Sequence, residues 1–527
     1  MYLFEKFVSS SYRKVKNWHQ IFVYLPTTSV LLLGTVGQAA IADPTSDAIS
    51  QPSTTSNLAR NNSRFVIQPE KSQAIGLPAP LPETLETIRM QWSHQTSSAA
   101  LLAPSRSELS ADSTVVTDSS RLSQNAPASA TVQEAPATAQ LTPVTPGTPE
   151  PPKASPIQPS APPSTQSLTV EHYYYNWSDE LGNKGSQYIA PITFTYQKGN
   201  FDLGIRTAYI HSAFNGVLLL DGVKIGDRKG SVSTLSDTSV SFAYTLRQSR
   251  FPIRFNLDVN VPTGKATLFG DQKNAIMDGA LVQQTRFGEG WNVAPGISIS
   301  HAISSKDVLG VGVSHIMRGR FDPNGDVVND VINPGNETVA TLQYQHSDRD
   351  WLLIGGLIYT HYGTTKRDGQ DYYKSGDRLD ANATLVVSPF RGHRVQLSGR
   401  YFTQARNDVV DFFTGDLVKE SANSNGRSLY LSLDWGIATD RQQRGTFHLL
   451  ADWLHVNGNS YDRINDLFNA GRNKFSVGLG YDYALSNNVN AGIQAKYFHL
   501  VDKATPTIQQ DVRSNGINLF GTLTYTF

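Results

Sequence analysis

The sequence predicts an all-β chain: a transmembrane antiparallel up-and-down β-barrel of about 16 strands (roughly 14–18), preceded by an N-terminal extension without a fold of its own. Three observations predict it. Apolar and polar residues alternate with period two, again and again, from Leu168 to the end of the chain. Short polar turns alternate with longer polar loops along the same stretch. The chain finishes on "GINLFGTLTYTF", in which Ile517, Leu519, Leu523, Tyr525 and Phe527 fall on one face and Asn518, Thr522, Thr524 and Thr526 on the other.

Bulk composition removes several function classes. The 527 residues include 45 basic and 45 acidic side chains, so the formal charge is zero and no nucleic-acid surface is indicated. There is no cysteine, which excludes disulfides, thiolate metal sites and cysteine catalysis. Only 17% of residues are charged and the mean hydropathy is −0.32, which suits neither a coiled coil nor a helical membrane protein.

Residues 1–43 read as a secretory signal. Lys6, Arg13, Lys14 and Lys16 supply a positive start, "IFVYLPTTSVLLLGTVG" an apolar core, and "GQAAIAD" small residues for cleavage before Asp43. The competing reading is a membrane anchor, but the run contains Pro26 and is short for a span. Residues 44–167 form a Pro/Ser/Thr/Ala-rich linker. Nineteen of the 27 prolines precede residue 168, and proline lacks the amide donor that helix interiors and central strands need. An extended tether is expected, placed in the periplasm. "LPETLETIRMQWSH" (81–94) has helical spacing and offers Ile88, Met90 and Trp92 to a partner, against the plainer reading of transient helix in a disordered tail.

Residues 168–527 carry the barrel. In "FPIRFNLDVNV" Phe251, Ile253, Phe255, Leu257, Val259 and Val261 share a face; "SLYLSLDWGIA" and "KFSVGLGYDYAL" repeat the pattern. Short turns are expected at 197–200, 247–251, 304–307, 347–350, 390–393, 439–445 and 485–488. Longer loops are expected around 178–187, 212–235, 263–290, 321–336, 364–377, 406–426, 458–471 and 501–512. These breaks separate sixteen strands, and an even number returns both ends to one side. In lipid no sheet edge is tolerated, so "LTVEHYYYNW" (168–177) is the expected partner of the final strand. Sixteen strands enclose an aqueous channel rather than a packed core.

Two stretches, "LSDTSVSFAYTLRQSRFPIRFNLDVNVPTGKATL" (235–268) and "RFGEGWNVAPGISISHAISSKDVLGVGVSHIMRGRF" (286–321), resemble the outer-membrane channel family named for the MetA pathway of phenol degradation. The resemblance implies a channel for small-molecule or hydrophobic, including aromatic, compounds. The Pro-rich extension and the strand number depart from that family. The ending "LTYTF" resembles the signal by which outer-membrane proteins engage the barrel-assembly machinery, with Leu523, Tyr525 and Phe527 as its apolar positions.

Alternation puts Arg206, Arg254, Asp258, Arg318, Arg320, Arg394, Arg400, Asp434, Asp452, Lys474, Asp482 and Lys496 on interior faces. Both signs occur, so these charges either brace the wall or tune passage. "VPTGK" (261–265) offers Lys265 as a ligand contact, although Pro262 and Gly264 read more simply as a turn. "DPNGDVVND" (322–330) lacks the Gly and Glu positions of a calcium loop and reads as a polar turn. "FGEG" (287–290) has no β-α crossover around it and is no nucleotide loop. His315, His448, His455 and His499 lie on strands outside any nucleophile motif. No metal, cofactor or catalytic residue is expected.

Three functions fit. The first is a channel for passive or facilitated diffusion of small solutes through the outer membrane. The second is a structural barrel whose linker anchors to peptidoglycan or a periplasmic partner. An outer-membrane enzyme or secretion barrel is the third and fits least, because no strand histidine belongs to a nucleophile motif and the extension carries no repetitive passenger.

Overall fold

The computed structural model describes residues 164–527, with interruptions at 221–222, 248–250, 329, 412, 441, 466 and 507. The signal segment, the linker and the 81–94 stretch lie outside the described residues.

The first hairpin joins β1 (Thr165–Asp179) to β2 (Lys184–Lys198), and β3 (Phe201–Leu220) follows. β4 (Val223–Leu235) and β5 (Thr238–Leu246) share one stave, broken at Ser236 and Asp237; β4 pairs with the far half of β3 and β5 with its near half. β6 (Ile253–Val261), β7 (Asn292–Ala302) and β8 (Asp307–Arg318) continue the wall. β9 (Ile332–Asn333) stands outside it, and β10 (Glu337–Ser347) and β11 (Trp351–Tyr362) return to it. β12 (Thr365–Arg367) and β13 (Gln370–Lys374) are again outside, β14 (Arg378–Val387) and β15 (His393–Gln404) within. After β16 (Asp408–Val410) and β17 (Leu417–Lys419), the wall is completed by β18 (Ser428–Ala438), β19 (Gly445–Asn457), β20 (Gly471–Ser486), β21 (Val489–Asp502) and β22 (Val512–Thr526).

The ring closes as the sequence requires. β22 pairs antiparallel with β1, Leu523 opposite Val170 and Tyr525 opposite Leu168, so every stave has two neighbours and the barrel has sixteen. The seven short turns all fall at one end, together with Thr165 and Thr526. The outer face carries an apolar belt that includes Tyr209, Phe255, Val311, Leu357, Leu397, Phe475 and Ile493, each more than a third exposed. The residues between them point inward; many are small, polar or paired, and a set on β1, β2, β3 and β21 is large and apolar.

Five loops differ from expectation. Residues 212–235 are not a loop: β3 and β4 form a long hairpin that rises past the rest of the wall. The segments 364–377 and 406–426 contribute short strands. Together with β9 from the 321–336 loop they form a separate five-stranded sheet, β17-β16-β13-β12-β9, at the long-loop end. The 178–187 loop shrinks to a tight turn in which Asp179 accepts from the Leu181 and Asn183 amides.

Candidate functional site

The site is the barrel interior, and its main feature is the 263–290 segment between β6 and β7. It folds inward. Leu268, Ala275 and Phe287 bury themselves against the inward-facing Tyr173, Ile189, Ala208, Ile210 and Val232 of β1 to β4. Met277, Leu281 and Val282 pack against Trp177 of β1 and Phe498 and Leu500 of β21. These wall residues interrupt the polar inner face because they meet protein instead of water.

Polar contacts fix the docked path. Gln187 both donates to the Gln284 carbonyl and accepts from its amide, each at 2.8 Å. Ser212 donates to the Ala275 carbonyl at 2.8 Å, and Tyr175 to Gln283 at 2.6 Å. Far round the ring, Arg472 pairs with Asp278 at 2.6 Å and Lys474 donates to the Ala280 carbonyl at 2.5 Å. The segment therefore lines the wall from β4 through β1 to β20, about half the circumference. The opposite half, β8 to β19, keeps its own inner surface.

The base of the loop is held by Asp237, at the break between β4 and β5. Its carboxylate accepts from the Gly264 amide (2.9 Å), the Glu289 amide (2.7 Å) and Asn260 (2.9 Å). Gly264 and Gly230 admit no side chain. A Cβ on Gly264 would lie 2.2 Å from the Phe287 carbonyl, and one on Gly230 2.0 Å from that of Asp271. Gly264 thus serves the loop base, while "VPTGK" turns the chain. A latch joins this segment to the 321–336 loop: Lys273 pairs with Asp326 at 2.7 Å and donates to Asn324 at 2.9 Å. The "DPNGDVVND" turn is spent on that latch. Hydrogen bonds from Lys273 and from the Gly270 amide hold the Asp326 carboxyl below the usual carboxylate range.

The interior charges are mostly paired. Arg206 meets Glu171 at 3.6 Å, Arg254 meets Asp202 at 2.6 Å, and Lys496 meets Asp452 at 2.7 Å, with Tyr430 also donating to Asp452. Arg400 and Arg378 both bond the buried Asp380, and each guanidinium lies about 5.5 Å from the Phe402 ring. Arg318 reaches Glu337 through Nε at 3.0 Å and Glu289 at 2.9 Å. Burial opposes ionisation of Glu289, but Arg286 and Arg318 outweigh it and hold the carboxyl below the usual carboxylate range. His448 sits between Asp434 (2.7 Å) and Asp482 (3.2 Å) near the short-turn end. Arg394 is level with Gly436 on β18, beside that trio, and Asp258 accepts from Asn256 at 3.4 Å. Arg320 lies beyond the end of β8 and is exposed, so it lines no stave.

Arg206, Arg254 and Arg400 thus form no bare cationic rung; each has its own acid. The partners Glu171, Asp202, Glu337 and Asp380 were not singled out from sequence, although the same alternation places them inward. At the closing strand, Phe527 follows β22, donates its amide to the Gln166 carbonyl at 2.9 Å and stacks edge-on against Tyr525.

No protein-family model matches the chain, and no curated protein matches it. Solved structures that the chain matches include OccAB4 of Acinetobacter baumannii, at 8% identity over 70% of this chain and 100% of that one, with a TM-score of 0.34. OccK7 (OpdD) of Pseudomonas aeruginosa matches at 12% identity over 69% of this chain and 98% of that one, with a TM-score of 0.35. A TodX mutant described as a monoaromatic hydrocarbon channel matches at 9% identity over 70% and 92%, with a TM-score of 0.36. Scores this low carry no argument about what passes the barrel.

Proposed function

We propose that the protein is an outer-membrane channel through which small solutes diffuse passively. One observation carries this reading. The closed sixteen-stave ring has an apolar belt outside, and the inward segment docks against only about half of its inner wall. The other half presents Ser314, Thr341, Gln343, Thr384, Gln396 and Ser432 on inward positions, a surface for hydrated solutes. Ion pairing along it leaves neither sign dominant, so weak charge selectivity is expected.

With short turns on the periplasmic side, residues 44–167 enter the periplasm within reach of peptidoglycan or a periplasmic partner. The ending Leu523, Tyr525, Phe527 is then the handle for the barrel-assembly machinery, and the barrel's role is transport rather than a reaction.

The test is conductance of the full chain in planar bilayers. Discrete steps are expected, and replacing 268–287 by a short Gly-Ser link should raise the step size. A silent barrel, with or without that replacement, would sink the channel reading and favour an anchoring role.

A further inference from the structure

Nine of the ten described histidines point outward, and five of these lie within two residues of one level. His211 is the eleventh residue of β3, His315 the ninth of β8, and His361, His455 and His499 the eleventh of β11, β19 and β21. All five strands leave the short-turn end. Ten residues at about 3.3 Å rise cover about 33 Å of strand, or about 25 Å of height at a tilt of about 40°; the eight residues to His315 give about 20 Å. That is the height of the apolar band, so the five imidazoles ring its boundary at the long-loop end.

Below each lies an outward apolar side chain two residues earlier: Tyr209, Val313, Tyr359, Trp453 and Tyr497, each more than a third exposed. Each Nδ1 is held by a neighbour. His211 bonds Ser233, His315 bonds Thr338, His361 bonds Asp377, His455 bonds Asn473 and His499 bonds Asn515, all between 2.7 and 3.0 Å. An amide or carboxylate oxygen only accepts, so in the last three the imidazole donates through Nδ1. Nε2 of His455 faces Asn457 at 2.5 Å; no bond from the other four Nε2 atoms is described. In His361 and His499, whose Nδ1 donates, a second proton can go only to Nε2 and makes it a further N–H donor.

We propose that this girdle binds the anionic phosphate headgroups of the lipid leaflet at the long-loop end, more strongly as pH falls. Histidine as a class changes charge between pH 8 and pH 5. The titratable or charged groups facing the ring are Tyr188 and Tyr209 at His211, Tyr359 and Asp377 at His361, and Tyr497 at His499. Only Asp377 brings a negative charge, and the Thr338 hydroxyl bonded to His315 also lies level with His361 on the next strand.

The inference rests on the membrane-spanning reading above; flotation of the full chain with vesicles tests that reading separately. The probe is a mixed micelle of phosphatidylglycerol and phosphatidylcholine in equal amounts, with lipids retained on the purified chain counted by mass spectrometry. The expected result is about fivefold more phosphatidylglycerol retained at about pH 5.5 than at about pH 8. The chain carrying all five His→Gln substitutions should lose that difference, while His448→Gln, inside the barrel, should keep it. If the fivefold variant fails to fold, H315Q/H499Q should show a partial loss. Equal retention at both pH values, or an undiminished difference in a folded girdle variant, would overturn the proposal.

Discussion

The two halves of the inner wall obey different rules. On the docked half, β1, β2, β3, β20, β21 and β22 run 14 to 20 residues, and β1, β2, β3 and β21 turn large apolar side chains inward beneath the segment. On the open half, β8, β10, β11, β14, β15, β18 and β19 run 10 to 13 residues, close to what a span needs, and apart from β11, which turns Ile354 and Ile358 inward, their inner faces are mainly polar or small. The lesson is that a barrel interior is polar only where water fills it. Where a loop covers the wall, the inner face reverts to an ordinary protein core and the staves lengthen to support it.

The largest expected effect breaks the docked half. Ile210 is fully buried beneath the inward segment. Ile210→Asp places an unpaired charge in an apolar cluster and should cost more than about 3 kcal/mol of docking. The barrel, closed by its hydrogen-bonded ring, should still form. Limited trypsin digestion reads the outcome, because Lys273 and Arg286 lie in the segment: rapid cleavage there is expected with the barrel intact. Protection equal to wild type would show that the apolar contacts do not hold the loop.

The second prediction strikes the open half. Asp380 is the shared acid of Arg378 and Arg400. Asp380→Asn leaves two guanidiniums facing each other with no carboxylate and should cost about 3 kcal/mol. Reversal potentials in a salt gradient should move toward anion preference, while trypsin protection of the docked segment stays unchanged. An unchanged reversal potential would mean that this cluster only braces the wall.

These two residues also mark what was legible in the sequence. The seven turns, the sixteen staves and the β1–β22 closure were readable, because alternation and turn chemistry are local. β4 was not: "VKIGDRKGSVSTL" stands above the belt and turns only Val232 into the docked cluster, so it shows no alternation and reads as a loop. Asp380 lies two residues from Arg378 on the inward parity, yet its bond to Arg400 depends on the register between β14 and β15. A hint of the docked half was present. "HYYYNW" and "KYFHLV" carry bulky residues on both faces, which a water-lined stave does not need. The course of the segment across seven staves was beyond any local pattern.

A milder perturbation separates anchoring from packing. Asp237→Ala removes the acceptor for two loop amides and Asn260 and should cost about 2 kcal/mol. The apolar contacts remain, so the segment should stay docked on average but open more often. Hydrogen exchange of the 264–289 amides should quicken while those of β1 and β22 do not. Uniform quickening would point to a weakened barrel instead.

The smallest effect concerns the latch, and it sets the pH behaviour. The Asp326 carboxyl is held below its ordinary value near 3.8, first by Lys273 and then by the Gly270 amide. A carboxyl depressed in the folded state lends stability that is complete above its unfolded value and drains away as pH falls through the folded one. The latch should therefore hold unchanged from neutral pH down to about 4 and weaken only below that. Because the pair is exposed on both sides, its loss should leave the segment docked and alter only its mobility. In bilayers, open-channel noise should be flat between about pH 7 and about pH 4 and rise at lower pH. Asp326→Asn should bring the raised noise to neutral pH and make the acid response disappear. A rise in noise that begins near pH 6, or one that survives Asp326→Asn, would assign the acid response to another group.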